Sequence, residues 1–196
     1  TMSGEDTCDV VITRTWTFAD ACGNESSVSQ IITVKDTIAP TFTSVLPPVT
    51  KLVECNNVPV QETLLAIDNC GDAIVTNNEE RIDGSCSNEY TLIRTWTATD
   101  SCGNQKVHTQ TLLVQDTTAP TFVGPLPVQT VMVECDSVPE PAVLTAIDNC
   151  ESEENPTTVS FEELRTDGSC PNNYTLTRTW VATDACGRTS TYIQNV

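Results

Sequence analysis

Six aspartates at matched positions carry the clearest chemical potential in the chain: Asp36, Asp68 and Asp100, then Asp116, Asp148 and Asp184. Asp68 and Asp148 stand in two copies of Ala-Ile-Asp-Asn-Cys, Asp100 and Asp184 in Ala-Thr-Asp-x-Cys-Gly, and Asp36 and Asp116 open Asp-Thr-x-Ala-Pro. Three carboxylates, with Asn69 or Asn149 and backbone carbonyls, offer the roughly six to eight oxygens that calcium takes. Carboxylates that converge without a cation repel one another, so convergence itself favours an ion. The same residues also suit a plainer task, since Asp and Asn cap turns by accepting from backbone N–H groups two residues on. No segment has the ligand order of an EF-hand loop, and the sequence leaves both readings open.

Ten cysteines form the second reactive set. Zinc sites usually show close Cys pairs together with His. Here the nearest cysteines, Cys8 and Cys22, are 14 apart and His108 is the only histidine. That spacing points to disulfides and so to an oxidising, extracellular compartment.

The elements that position these residues follow from an internal repeat of 80 residues. Val53-Glu-Cys-Asn-Asn-Val-Pro59 recurs as Val133-Glu-Cys-Asp-Ser-Val-Pro139, and Asp83-Gly-Ser-Cys86 as Asp167-Gly-Ser-Cys170. Arg94-Thr-Trp-Thr-Ala-Thr-Asp-Ser-Cys-Gly103 recurs as Arg178-Thr-Trp-Val-Ala-Thr-Asp-Ala-Cys-Gly187, and earlier as Arg14-Thr-Trp-Thr-Phe-Ala-Asp-Ala-Cys-Gly23. Residues 1–36 therefore read as the C-terminal part of a truncated repeat, 37–116 as a complete one, and 117–196 as a repeat lacking the end of its last strand. Tyr90, Leu92, Trp96 and Ala98 alternate with Thr residues at the period of a strand, and Tyr174, Leu176, Trp180 and Ala182 repeat the pattern. Strands are expected near 49–54, 62–68, 73–81, 90–99 and 106–115. The fold class is all-β: tandem immunoglobulin-like β-sandwich repeats of about 80 residues, stapled by disulfides because so small a core is thin.

Reach restricts the cysteine pairing. Cys86 and Cys102 flank a strand of roughly 33 Å, too long for them to meet. Strand parity puts Cys70 and Cys102 at one pole of a repeat and Cys55 and Cys86 at the other. The expected bonds are Cys55–Cys86, Cys70–Cys102, Cys135–Cys170 and Cys150–Cys186, with Cys8 and Cys22 pairing with residues upstream. The same parity gathers Asp36, Asp68 and Asp100 at one joint between repeats and Asp116, Asp148 and Asp184 at the next. Arg14, Arg94 and Arg178 lie on the Trp side of their strands, where an unpaired charge is costly. Each either sits at the rim with its guanidinium in water or pairs with an acid such as Glu54 or Glu134. Phe42 and Phe122 follow the joint prolines and are expected to pack between adjacent domains.

The Ala-Thr-Asp-x-Cys-Gly-Asn turn, the Ala-x-Asp-Asn-Cys turn and the Asp-Thr-Thr-Ala-Pro joint resemble the HYR-like immunoglobulin-type repeats. Those repeats occur in very large secreted surface proteins of Bacteroidetes, including gliding-motility adhesins. The resemblance implies a long cell-surface filament with many such units in tandem, and adhesion to surfaces or polysaccharides by the whole molecule. It further implies O-glycosylation at Asp-Thr/Ser followed by a small or aliphatic residue, which marks Thr37 and Thr117. The sequons at Asn24 and Asn173 are acceptors in a eukaryotic secretory host. Arg188 departs from the pattern, replacing the Asn found at 24 and 104.

A formal charge of −18 argues against nucleic acid as a partner, which needs a basic footprint. No apolar stretch approaches the length of a membrane span, so no membrane insertion is expected. The chain shows no Gly-x-Ser-x-Gly elbow and no phosphate loop, and its paired carboxylates recur at every joint instead of forming one active site. The expected function is a non-enzymatic structural and adhesive stalk, and its one candidate cofactor is calcium at the joints, if the aspartates there bind a cation instead of only capping turns. Its expected partners are neighbouring repeats and, outside the chain, surface polysaccharide or cell-surface anchor proteins. A carbohydrate- or protein-binding module is the alternative, with Glu151–Pro156 as its candidate contact loop.

Overall fold

Segments in which Thr alternates with apolar residues favour extended structure, because β-branched side chains fit a pleated, half-buried surface. A computed structural model describes residues 2–3, 8–154, 156–170 and 172–196, and it is all-β. The first repeat contributes β1 (Met2–Ser3), β2 (Asp9–Ala19) and β3 (Glu25–Lys35), an antiparallel sheet in the order β1-β2-β3. The second contributes β4 (Thr41–Phe42), β5 (Thr50–Glu54), β6 (Ala66–Ile67), β7 (Ala73–Asp83), β8 (Tyr90–Asp100) and β9 (Gln105–Gln115). Its long strands form a sheet ordered β5-β9-β8-β7, with β5 parallel to β9, and β4 pairs with β6. The third contributes β10 (Thr121–Val123), β11 (Thr145–Ile147), β12 (Thr158–Asp167), β13 (Tyr174–Thr183) and β14 (Thr189–Asn195). These form a β12-β13-β14 sheet and a β10-β11 pair. Among the described residues no helix is long and apolar enough to cross a membrane.

The strand expected at 62–68 shrinks to Ala66–Ile67. The carbonyl of Glu62 accepts the Trp96 indole N–H at 2.8 Å instead of joining a ladder. Ala142 serves Trp180 in the same way at 3.0 Å. A buried indole needs an acceptor, and an irregular segment supplies one that a paired strand would have used.

The chain divides into two compact units. The first comprises Thr1–Val49, Gln61–Glu80 and Arg94–Gln110, and the second Thr50–Val60, Arg81–Ile93 and Thr111–Val196. The division falls inside β7, β8 and β9, so Asp36 and Asp116, the two linker aspartates, each lie within one unit.

In the first unit Trp96 is fully buried, whereas its counterpart Trp16 is 47% exposed. Phe42 meets His108 edge-on at 6.5 Å, and His108 lies 5.9 Å from Trp96. In the second unit Phe122 meets Tyr192 at 6.2 Å, and Tyr192 in turn meets Trp180 at 6.2 Å. Both phenylalanines therefore pack within their own repeats and not between domains, because each lies on the short strand that faces the ring-bearing long ones. Val53, Leu92, Leu112 and Val114 form a core cluster in the second unit.

The arginines separate. Arg94 and Arg178 are only 4% and 2% exposed and paired, so the rim reading does not describe them. Their partners are Glu79 at 2.6 Å and Glu163 at 2.7 Å, and not Glu54 or Glu134. Glu163 is the cross-strand neighbour of Arg178 in the β12–β13 register, so the ladder delivers the counter-charge directly. Arg178 also donates to the carbonyl of Pro139 at 2.6 Å. Arg14 is exposed.

Candidate metal centre at the repeat joints

The Asp-x-Cys-Gly turns close in one way. Oδ1 of Asp20 accepts from the backbone N–H of Cys22 and Asn24 at 2.8 and 2.9 Å. Asp100 accepts from Cys102 and Asn104, both at 2.8 Å, and Asp184 from Cys186 and Arg188 at 2.7 and 2.8 Å. Gly103 and Gly187 sit at φ near 83° and 81°, a left-handed conformation that glycine adopts without steric cost. Asp68 and Asp148 cap the neighbouring turns by accepting from the N–H of Cys70 and Cys150 at 2.7 and 2.8 Å. Turn capping is thus real, and it consumes one oxygen of each carboxylate.

At the second joint the other oxygens have no donor. One carboxylate oxygen from each of Asp116, Asp148 and Asp184 lies within 4.8 Å of the others. Oδ2 of each of the three is buried and lacks a hydrogen-bond partner among the described residues. Asp116 is fully buried, with Oδ1 accepting from the Thr118 N–H at 3.2 Å. Burial pushes its carboxyl above the usual range; the Thr118 N–H opposes this, and the charges of Asp148 and Asp184 add to the rise. Buried carboxylate oxygens without donors are costly, and a hard divalent cation with oxygen preference answers all three together. A cleft of about 520 Å³ lined by Glu54, Thr118, Asp148 and Asn149 opens beside the cluster.

The first joint gathers Asp36, Asp68 and Asp100 around Cys70. Desolvation, then the charges of those three carboxylates, push the Cys70 thiol up. The chemistry differs because Asn104 is present where the second joint has Arg188. The Asn104 amide donates to Oδ2 of Asp100 at 2.9 Å, supplying the donor that Asp184 lacks. Desolvation raises the Asp100 carboxyl, but the Asn104 side-chain and backbone bonds outweigh it, and the net shift is downward. Asp36 and Asp68 approach each other and Cys70 within 4.8 Å, and Asp100 is not in that group. The guanidinium of Arg188 turns instead to Glu89, at 3.6 Å.

Covalent bonds cross both joints. Cys8 bonds Cys102, Cys55 bonds Cys150 and Cys86 bonds Cys186, with Cα–Cα distances of 5.2, 5.8 and 5.2 Å. Cys22, Cys70, Cys135 and Cys170 are exposed and unbonded. The expected pairs Cys55–Cys86, Cys70–Cys102 and Cys150–Cys186 are thus replaced by bonds between successive repeats, and Cys135–Cys170 is not formed. Cys8 finds its partner within the chain, not upstream. Strand parity brought the right cysteines to each pole but treated each repeat as closed. With the joint inside a compact unit, the sulfur within reach belongs to the next repeat. These disulfides are the mark of an oxidising, extracytosolic setting.

Glu54 adds a polar latch to the second joint. It accepts from the Thr117 N–H and the Thr117 hydroxyl, both at 2.8 Å, and from the Asn149 amide at 3.5 Å. The Thr117 N–H bond leads in holding the Glu54 carboxyl below its usual value, with the Thr117 hydroxyl, Asn149 and Arg188 adding to it against desolvation. Of the two threonines marked for O-glycosylation, Thr37 is exposed and Thr117 has its hydroxyl engaged by Glu54. In the 151–156 loop, Glu151 accepts from the Thr157 N–H at 3.0 Å, and Asn155 lies outside the described residues.

Sequence reasoning missed Glu79, Glu163 and the latch. The first two had a signal, since each stands four residues before the Asp of Asp-Gly-Ser-Cys. Glu54 stood out only as a member of Val-Glu-Cys and as a candidate partner for the core-face arginines, with nothing to say that it reaches the following repeat.

No curated protein matches the chain. Solved structures that resemble it include the protocadherin GammaB4 extracellular domain (15% identity, TM-score 0.30), with 95% of this chain aligned to 38% of that one. The protocadherin gammaB7 EC3-6 cis-dimer gives 14% and 0.32, covering all of this chain and 67% of that one. The human desmocollin-1 ectodomain gives 15% and 0.28, covering 96% and 43%. A HYR-like domain with four cysteines matches residues 1–34 and 43–114, more than half of the chain, and the third repeat carries the same four cysteine motifs. The chain belongs to the family of HYR-like domains with four cysteines.

Proposed function

We propose that the chain is a structural and adhesive stalk segment, a stiff spacer of a large extracellular repeat protein that presents adhesion regions at a bacterial cell surface. The observation that carries this reading is the set of disulfides between successive repeats, which resists separation of neighbours under load. The repeats are those bounded at 36 and 116. Calcium at Asp116, Asp148 and Asp184 neutralises the buried carboxylates of the second joint, and Asp36, Asp68 and Asp100 form a weaker site because Asn104 already occupies Asp100. The resemblance to surface adhesins of Bacteroidetes supports a place in a gliding-type filament, with surface polysaccharide or anchor proteins as partners of the whole molecule. Thr37 is the preferred O-glycan acceptor, since Thr117 would have to abandon Glu54.

A role as a carbohydrate-binding module has less support. The repeated rings Trp96 and Trp180 are buried, and the groove of about 340 Å³ beside Met132 and Cys135 holds one ring, Tyr174, already covered by Arg165 at 3.9 Å. Small-angle scattering of the oxidised chain tests the stalk reading. A rigid profile in calcium that loosens on reduction with EDTA supports it. A profile equally flexible in all conditions overturns it.

A further inference from the structure

The three disulfides obey one translation rule. Cys55, in Val-Glu-Cys, bonds Cys150 in the Asp-Asn-Cys of the following repeat. Cys86, in Asp-Gly-Ser-Cys, bonds Cys186 in the Asp-x-Cys-Gly of the following repeat. Cys8 stands ahead of Cys22 much as Cys86 stands ahead of Cys102, and it bonds Cys102 by the same rule. The first and third cysteines of a repeat therefore reach forward, and the second and fourth receive.

The four unbonded cysteines fit this rule without exception. Cys22 and Cys70 are a fourth and a second cysteine and would receive from a repeat on the N-terminal side. Cys135 and Cys170 are a first and a third and would reach a repeat on the C-terminal side. Each is exposed. Each of the following three is held in the turn that holds its bonded counterpart. The Cys22 N–H donates to Asp20 at 2.8 Å, as Cys102 does to Asp100 at 2.8 Å. The Cys70 N–H donates to Asp68 at 2.7 Å, as Cys150 does to Asp148 at 2.8 Å. Around Cys170 the bonds Gly168 N–H to Asn173 O (2.7 Å) and Asn173 N–H to Cys170 O (3.0 Å) match those from Gly84 to Glu89 (2.8 Å) and Glu89 to Cys86 (3.1 Å). Gly84 and Gly168 are required there, because a Cβ would fall 2.4 Å from the Glu89 carbonyl oxygen and 2.8 Å from that of Asn173. The bonded copies show what these turns are shaped to do.

We propose that these repeats form a continuous disulfide ladder, in which Cys135 and Cys170 bond the second and fourth cysteines of a further four-cysteine repeat. By the same rule Cys70 bonds the first cysteine of the repeat that holds Cys8 and Cys22, and Cys22 bonds the third cysteine of the repeat before that one. The partner is defined by its chemistry: on the receiving side it carries Asp-Thr-x-Ala-Pro, Asp-Asn-Cys and Asp-x-Cys-Gly. Each rung forms as two thiols lose two protons and two electrons to a disulfide oxidant such as oxidised glutathione, which leaves as two thiols. Cys135 and Cys170 do not bond each other, because their counterparts Cys55 and Cys86 are committed to two different sulfurs of the next repeat.

The test extends the full chain by a second copy of residues 113–196. Leu113–Gln115 then complete the last strand and Asp116 restores the linker. After oxidation in a glutathione buffer, thiols are blocked with iodoacetamide and the unreduced digest is mapped by mass spectrometry. Two new cross-linked peptides are expected, Cys135 with the copy's Cys150 and Cys170 with the copy's Cys186. A Cys135–Cys170 peptide, or continued alkylation of both in the folded extended chain, overturns the proposal. The original 196-residue chain gives a second reading that needs no extension: without denaturant, alkylation is expected at Cys22, Cys70, Cys135 and Cys170 alone. A disulfide among those four in one chain overturns it as well.

Discussion

Replacing Asp116 with Asn separates the two roles that its carboxylate plays. Asn keeps an oxygen to accept the Thr118 N–H, so the cap at 3.2 Å survives. It removes one of three charges whose oxygens lie within 4.8 Å. At that separation and an effective dielectric of about 20, each pair of unit charges costs about 3.5 kcal/mol. Asp116 takes part in two such pairs, and partial protonation together with the nearby Arg188 charge reduces the net penalty. A gain of about 1–3 kcal/mol on D116N in EDTA is the expected result, and at roughly 2–4 °C per kcal/mol the midpoint rises by about 2–12 °C. Calcium reverses the order. At a concentration 100-fold above Kd a single site adds about 2.7 kcal/mol, and extracellular sites commonly bind at about 0.1–1 mM. Wild type should therefore rise clearly in 10 mM calcium while D116N stays close to its EDTA value. The raised carboxyl fixes the pH sign: metal-free wild type approaches D116N as pH falls and Asp116 takes up its proton, and loses that stability as pH rises through its folded pKa. Thermal unfolding by circular dichroism reads all of these. A D116N chain less stable than wild type by the same amount in EDTA and in calcium would refute the reasoning and leave Asp116 as a cap alone.

Other perturbations follow from single contacts. R188N should supply Asp184 with the amide that Asn104 gives Asp100, so the calcium-induced rise in midpoint should shrink, as calorimetry would show. R178A removes a buried guanidinium and strands Glu163 and the Pro139 carbonyl, at an expected cost of about 3–5 kcal/mol in urea titrations. E163Q should cost less, because that carboxylate is about one-third exposed. Glu54 has a depressed carboxyl, so its latch is fully present above the unfolded value near 4.5 and is lost as pH falls through the lower folded value. In EDTA, the gap in stability between wild type and E54Q should therefore stay constant above pH 4.5 and close as pH falls through the lower folded value.

Much of this architecture is legible in the residues themselves. The alternation from Tyr90 to Asp100 gives the buried face of β8 residue by residue, because a strand has a period of two and one face is covered. Strand parity gathers Asp116, Asp148 and Asp184 at one pole, but the same parity at the first joint leaves Asp100 outside the group of Asp36, Asp68 and Cys70. The cysteine partners do not follow from it, because parity selects a pole and cannot say whether a sulfur faces its own repeat or the next. That choice is made by packing at the linker, where Glu54 holds Thr117 and Asn149, a contact spanning 63 and 95 residues of sequence. The arginine pairs were half legible: the apolar face flagged Arg94 and Arg178, but naming Glu79 and Glu163 required the antiparallel register. Arg188 shows the opposite case, a single departure from the repeat whose consequence, an orphaned oxygen on Asp184, appears only once the turn is built.

Covalent bonds tie successive repeats together, and pulling a single chain by its ends measures that directly. In the oxidised chain the shortest covalent path runs through residues 1–8, across to 102, back to 86, across to 186 and on to 196. That path contains roughly 33 residue steps and extends to about 110–120 Å at 3.3–3.6 Å per residue. The reduced chain should extend to about 650–700 Å. An oxidised contour length near the short value supports bonding across the joints. A value near 450 Å, about what bonds closed within each repeat would allow, would contradict it.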